Sequence, residues 1–239
     1  MHNLFVTTLA LLAVVCLSTP ASARSLASAQ VAPTPLAQST LAELLQGNQR
    51  FVTDHAQHPH QSHAHLLQLV QGQHPKVAIL TCSDARVAPE LIFDQGLGDV
   101  FDVRVAGNIV DDGVLGSLEY AVKHLHVDLI LVLGHQHCGA VQAAMAHQHP
   151  HNEVNHILRF LNHSVKHNPH ASEDEVITTN INHVLHTLQA TPTLNHALQQ
   201  GHLTLVGGFY HLDSGKVEVW PATLSKPHPH KQSRLTWSP

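Results

Sequence analysis

Short, unbroken apolar runs alternate along this chain with longer stretches in which apolar positions recur every three or four residues. Val77-Ala78-Ile79-Leu80-Thr81 is apolar up to its last residue. Such a run predicts a strand covered on both faces, the kind found inside parallel sheets. Phe101 to Val105, Leu129 to Leu133 (closed by Gly134) and Leu203 to Tyr210 read the same way. Between them the period lengthens. Ala88 to Phe93 is a short helical turn at Pro89. Val114, Leu118, Ala121, Val122 and Leu125 mark one face of a helix, Cys138 to Ala146 starts another, and Asn152 to Gln200 has room for two or three more. Asp213-Ser214-Gly215 turns the chain into Lys216 to Trp220, read as an antiparallel edge strand. Towards the N-terminus, a helix is predicted from Leu41 to Val52, with Ser39 or Thr40 as its N-cap. It stands apart from the later core and is expected to pack on something else. His55 to His65 reads as a histidine-rich loop, and His65 to Gln71 as a short helix. The alternation predicts an α/β fold with a mainly parallel central sheet flanked by helices.

The ends differ in character from this body. Leu4 to Leu17 is an apolar stretch followed by Pro20-Ala21-Ser22-Ala23, with small residues where a signal peptidase reads. It is too short to span a bilayer comfortably, and its head, Met1-His2-Asn3, has no Lys or Arg. Val15 is bulkier than lipid attachment at Cys16 usually accepts. We therefore expect a signal peptide over 1–23, an exported and periplasmic product, and no stable membrane anchor. Residues 24–38 read as an Ala/Ser/Pro/Gln-rich linker, 39–221 as one globular domain, and 222–239 as a polar tail. The chain has 239 residues, 43% of them hydrophobic, enough for a core. Its net charge of -5 and lack of a basic block argue against nucleic-acid binding.

Two short motifs carry the chemistry: Cys82-Ser83-Asp84-Ala85-Arg86 and His135-Gln136-His137-Cys138. Each directly follows an apolar run, so both belong at the carboxyl ends of strands, where open α/β sheets place their sites. Loss of a signal peptide would leave two cysteines, which in an exported protein first suggests a disulfide. Each, however, keeps company with other metal-ligand types. Cys82, His135 and Cys138 can together hold one zinc ion per chain and leave a fourth position for water, whose pKa then falls towards about 7. Asp84 lies two residues from Cys82, on the same side of an extended segment. It can close the site as a fourth ligand, or pair with Arg86 in a bidentate fork and accept a hydrogen bond from the zinc-bound oxygen. The chain also holds 25 histidines against 12 Lys and Arg. His55, His58, His60, His63 and His65, the group His147, His149 and His151, and the pair His228 and His230 are open to three readings: solvated loop residues, accessory metal patches, or proton buffers.

These motifs, together with Phe93-Asp94-Gln95-Gly96-Leu97-Gly98-Asp99, Val103-Arg104-Val105-Ala106-Gly107-Asn108 and Gly116-Ser117-Leu118-Glu119-Tyr120-Ala121-Val122, resemble the β-class carbonic anhydrases, from about Leu41 to about Trp220. The resemblance implies reversible hydration of carbon dioxide to bicarbonate and a proton through a zinc-bound hydroxide. It implies zinc ligands at Cys82, His135 and Cys138, with Asp84 joining in a closed state, and a catalytic pair at Asp84 and Arg86. Gln73, Phe101 and Tyr120 fall at positions resembling the family's substrate pocket. The family forms dimers and higher assemblies, such as tetramers, in which the N-terminal helix reaches across to its neighbour. The pocket lies at the dimer interface, so Gln73 would serve the partner's zinc. Some relatives have a tryptophan three residues before the first cysteine that helps form an inhibitory bicarbonate site. Ile79 stands there in this chain. Rival readings are a hydrolase of carbon disulfide or carbonyl sulfide on the same scaffold, a non-catalytic periplasmic metal buffer, and a thiol-disulfide protein.

Overall fold

The computed structural model describes residues 34–167 and 169–222. The signal segment, the first part of the linker, and nearly all of the tail, including His228 and His230, lie outside them. The chain runs through α1 (Pro35–Val52), α2 (His63–Gln68), β1 (Val77–Thr81), α3 (Pro89–Ile92) and β2 (Val100–Arg104). A short 3-10 turn (Ala106–Asn108) leads to α4 (Asp112–His124), β3 (Leu129–His135), α5 (Gly139–Met145), α6 (Val154–His167), α7 (Glu173–Ala190) and α8 (Pro192–Gln199). It ends in β4 (Thr204–Tyr210) and β5 (Val217–Pro221).

The strands form one sheet in the order β2-β1-β3-β4-β5. The first four are parallel, and β5 is antiparallel on β4. Both faces are covered, which explains the unbroken apolar runs. Ala78, Leu80, Ile130 and Val132 pack with the later helices on one face. Val77, Ile79, Leu129, Leu131 and Leu133 pack with Ala37, Leu44, Ile92 and Phe93 on the other. From β1 the chain crosses to β2 on one side, and from β3 it proceeds to β4 on the other. The strand order therefore reverses between β1 and β3, and the crevice beyond their carboxyl ends is the place where such a sheet opens.

The N-terminal helix departs from the sequence expectation in two ways. It begins at Pro35 rather than at Leu41. Thr34 is its N-cap, accepting the Ala37 N–H at 3.0 Å, and not Ser39 or Thr40. Proline suits the first helical position, where no N–H is needed. The helix also does not stand apart from the core. Ala37 and Leu44 are buried against the sheet. Gly47 meets the chain so closely that an added methyl would lie 1.8 Å from the carbonyl oxygen of Phe93. Asn48 donates to the carbonyls of Ile92 (3.1 Å) and Gly215 (2.8 Å) and accepts from the Val217 N–H (3.0 Å). One face of α1 is therefore committed to its own chain, and a neighbour could meet only the rest.

The histidine-rich loop is held more firmly than a solvated loop would be. The Asp94 carboxylate accepts from the backbone N–H groups of Gln57 (3.0 Å) and His58 (2.8 Å) and pairs with Arg50 at 2.5 Å. His60 pairs with Asp99 at 2.7 Å and stacks on His65. The helix that follows begins at His63, capped by Ser62, not at His65. Strand β3 likewise continues through Gly134 to His135. A methyl at Gly134 would lie 2.7 Å from Ile181 Cδ1. Glycine here admits α7 rather than ending the strand.

Candidate metal centre

The register of the sheet brings the two cysteine motifs together. Thr81 pairs with Leu133 across β1 and β3, and its hydroxyl donates to the Leu133 carbonyl at 2.9 Å. Cys82 leaves β1 one residue later, and His135 ends β3. Cys138 is the N-cap of α5. Sγ of Cys82, a ring nitrogen of His135 and Sγ of Cys138 all lie within 4.8 Å of one another. All three residues are buried. Among the described residues this is the one group of three or more His, Cys, Asp or Glu ligand atoms gathered so closely. The histidines of 55–65 and 147–151 make no second one.

The donor set fits a zinc ion. Nδ1 of His135 lies 2.7 Å from the carbonyl oxygen of Gln136 and donates its proton there. Its Nε2 is buried and has no hydrogen-bond partner, so a lone pair faces the two sulfurs. A buried acceptor left in this way is costly unless a cation or donor completes it. Cys82 and Cys138 are free of a disulfide. The hydrogen bond from Cys138 pulls the Cys82 thiol down. Burial opposes this, while the backbone N–H groups of Gly107 and Asp84 reinforce it. Cys138, the donor of that bond, is pushed up by Cys82 and by burial. A cation entering the cluster would displace thiol protons, because it is the thiolate that ligates.

Asp84 adopts the paired arrangement. Arg86 donates to it three times: from its backbone N–H (2.9 Å) and Nε (2.9 Å) to Oδ1, and from Nη2 to Oδ2 (2.8 Å). The Arg86 side chain is the main reason the carboxyl lies well below the ordinary carboxylate range. Oδ2 is 4.0 Å from His135 Nε2, so Asp84 borders the ligand group and remains tied to Arg86. Arg86 also donates to the carbonyl of His137 at 3.2 Å, joining the two motifs.

The residues expected from the resemblance to line a pocket, Gln73, Phe101 and Tyr120, lie elsewhere in the same chain. Phe101 pairs with Ala78, near the start of β1. Four residues of strand, about 13 Å, separate that level from Cys82. Phe101 and Tyr120 come together, with ring centroids 6.3 Å apart, and Tyr120 is 48% exposed. Gln73 is exposed in the loop leading into β1, at the end opposite the cysteines. One chain therefore unites Cys82, Asp84, Arg86, His135 and Cys138, but not these three.

Two polar residues at the site escaped the reading of the sequence. Arg104 Nε donates to the carbonyl of Cys82 at 3.2 Å, and its Nη2 to that of Asp84 at 2.7 Å, fixing the loop that carries both. Asn180, on α7, donates to the carbonyl of Gly107 at 3.0 Å. Arg104 and Gly107 share the Val103–Asn108 motif, the one signal that could have pointed there.

Comparison with known proteins agrees with this geometry. The family model described as "Carbonic anhydrase" matches residues 77–217. Carbonic anhydrase 2 of Mycobacterium tuberculosis is 42% identical over 181 residues, covering 72% of this chain and 87% of its own. The carbonic anhydrase of Mycolicibacterium smegmatis is 40% identical over 184 residues, covering 74% and 89%. Among solved structures, the β-carbonic anhydrase CcaA superposes with a TM-score of 0.61 at 30% identity, over 75% of this chain and 94% of that one. A tetrameric β-carbonic anhydrase of Sordaria macrospora gives 0.62 at 26%, over 78% and 100%. With the ligand cluster at the reversal of the strand order and relatives matched over most of their length, this chain belongs to the β-class carbonic anhydrases.

Proposed function

We propose that this chain catalyses the reversible hydration of carbon dioxide to bicarbonate and a proton at a zinc ion held by Cys82, His135 and Cys138. The observation that carries the reading is the unpartnered, buried Nε2 of His135 facing two cysteine sulfurs, beside a carboxylate already locked by an arginine. When bound, zinc supplies Lewis acidity that lets water ionise near neutral pH. The rest falls to the chain. Arg86 occupies the Asp84 carboxylate in a two-point fork, which fixes its plane. A lone pair of Asp84 is left to accept a hydrogen bond from the attacking oxygen, turning the oxygen's own lone pair towards carbon. Asp84 stays ionised throughout, because Arg86 holds its proton affinity down. Solvent reaches the pair from the side of Arg86, whose side chain is 54% exposed, and the proton product leaves there.

The separation of Gln73, Phe101 and Tyr120 from Cys82 supports an assembly in which a second copy supplies the pocket wall. Strand β2, which carries Phe101, is an edge of the sheet. Leu66, Leu67, Val70, Leu91 and Tyr120 are large apolar side chains left exposed. A homodimer or tetramer would cover such surface. Residues 1–23 are read as an export signal. N-terminal sequencing of periplasmic protein tests that reading, which requires a start at Arg24 and is contradicted by an intact Met1.

The catalytic assignment is tested by Asp84→Asn. It keeps the cysteine and histidine ligands but lacks the anionic acceptor. Stopped-flow hydration should fall by about 100-fold or more while zinc content stays at the wild-type level. Full activity in Asp84→Asn would overturn the role given to Asp84.

A further inference from the structure

The sulfur of Cys82 has a backbone partner whose position is set from a distance. The Gly107 N–H donates to Cys82 Sγ at 3.3 Å. Gly107 has a φ of 69°, in the left-handed region, where a side chain is unwelcome. A methyl there would also lie 2.9 Å from Leu161 Cδ1 and 3.3 Å from Ala140 Cβ. Gly107 is therefore pressed between α5 and α6; its N–H lies on the peptide from Ala106 and its carbonyl on the peptide into Asn108, so the first is held in direction, through the φ and ψ of this one residue, when the second has an anchor. Asn180 provides one. The residue is 2% exposed, and its side-chain amide donates to the Gly107 carbonyl across 73 residues of sequence.

The rest of α7 makes this anchor firm. A capping box at Ser172 and Glu175 fixes its start. Ile177 and Ile181 pack on Gly134, the residue before His135. The helix thus backs both halves of the ligand cluster: the Cys82 side through Asn180 and Gly107, the His135 side through the isoleucines.

We propose that Asn180 is a positioning residue for the metal-binding sulfur of Cys82: by holding the Gly107 carbonyl it aims the Gly107 N–H at that sulfur and so tunes how tightly, and with what sulfur charge, the metal is bound. Outer hydrogen bonds to ligands commonly change metal affinity by about 10- to 100-fold. An N–H donated to a thiolate withdraws charge from it and fixes the lone pair offered to the metal. This inference rests on the metal-centre reading above and adds to it a residue remote from the ion.

The test uses the zinc-loaded protein and its cobalt-substituted form. Asn180→Leu removes the donor at similar volume, and Asn180→Asp replaces it with an acceptor. Either variant that folds is sufficient, and Val184→Ala, on the same helix and buried, serves as the packing control. Chelator competition should show zinc held about tenfold more weakly in the Asn180 variants. The sulfur-to-cobalt charge-transfer band should shift in the same proteins. Val184→Ala should lower the melting temperature and leave both readouts at the wild-type value. Unchanged affinity and band position in a folded Asn180 variant, with wild-type protein binding one zinc, would overturn the positioning role alone. Wild-type protein that binds neither zinc nor cobalt would instead overturn the metal centre, and this inference with it.

Discussion

Asp102 shows how much a single side chain can weigh against the fold. It sits on edge strand β2, with Oδ1 buried and lacking a hydrogen-bond partner. Burial, aided by the Glu90 carboxylate and opposed by Arg104, raises it from 3.8 to about 6. Its folded value lies above the ordinary one, so ionisation costs more in the folded protein than in the unfolded chain. The penalty is absent below about pH 4 and complete above about pH 6. Partial exposure softens it to about 1 kcal/mol. Asp102→Asn should therefore raise the melting temperature at pH 7 to 8, with the gain vanishing by pH 4. Melting curves across that range would contradict the account if the gain were the same at every pH. The residues that the structure gathers at the strand ends were legible in the sequence because cysteine, histidine and aspartate stand in short motifs directly after apolar runs. Arg104 and Asn180 were not. Each acts by donating to a backbone carbonyl at least 20 residues away, and such bonds leave no local pattern.

Among elements, the central strands were readable because both faces are buried, which forces continuous apolar sequence. The boundaries that differed have local causes. Helix α1 begins in a segment whose prolines and small residues resemble a linker, yet Pro35 is what starts it. The docking of α1 was hard to read because, apart from Leu44, its buried positions are small or polar, Ala37, Thr40, Gly47 and Asn48, and such positions give a weak apolar stripe. Gly47 makes the closest approach. Gly47→Ala would force its methyl into the backbone of Phe93, 1.8 Å from the carbonyl oxygen, and backbone cannot step aside cheaply. We expect a loss of about 2 to 4 kcal/mol, within the range of overpacked core sites. Urea denaturation measures it, and a change within about 0.5 kcal/mol would mean that α1 does not bear on the chain as described.

At the scale of the whole molecule, the fold class followed from the alternation of runs and periods, and the site from the rule that open sheets bind beyond the strand ends at the reversal of strand order. Gln73 and Phe101 lie at one end of the sheet and Cys82 at the other. If a second copy completes the pocket, chains carrying Gln73→Ala and chains carrying Asp84→Asn should complement each other when refolded together. Half the dimers would be mixed, and each mixed dimer would have one intact site of two. About a quarter of wild-type activity should return. Activity no higher than the sum of the separate variants would show that each site is built from one chain.

The central claim is the proposal that a zinc ion binds between β1 and β3. Zinc content and carbon dioxide hydration, measured together on the purified protein, test it most directly. The account predicts one zinc per chain with rapid hydration, and the loss of both in Cys82→Ala, which removes one of the three gathered ligands. Hydration that persists in zinc-free protein, or a full zinc complement in Cys82→Ala, would contradict it.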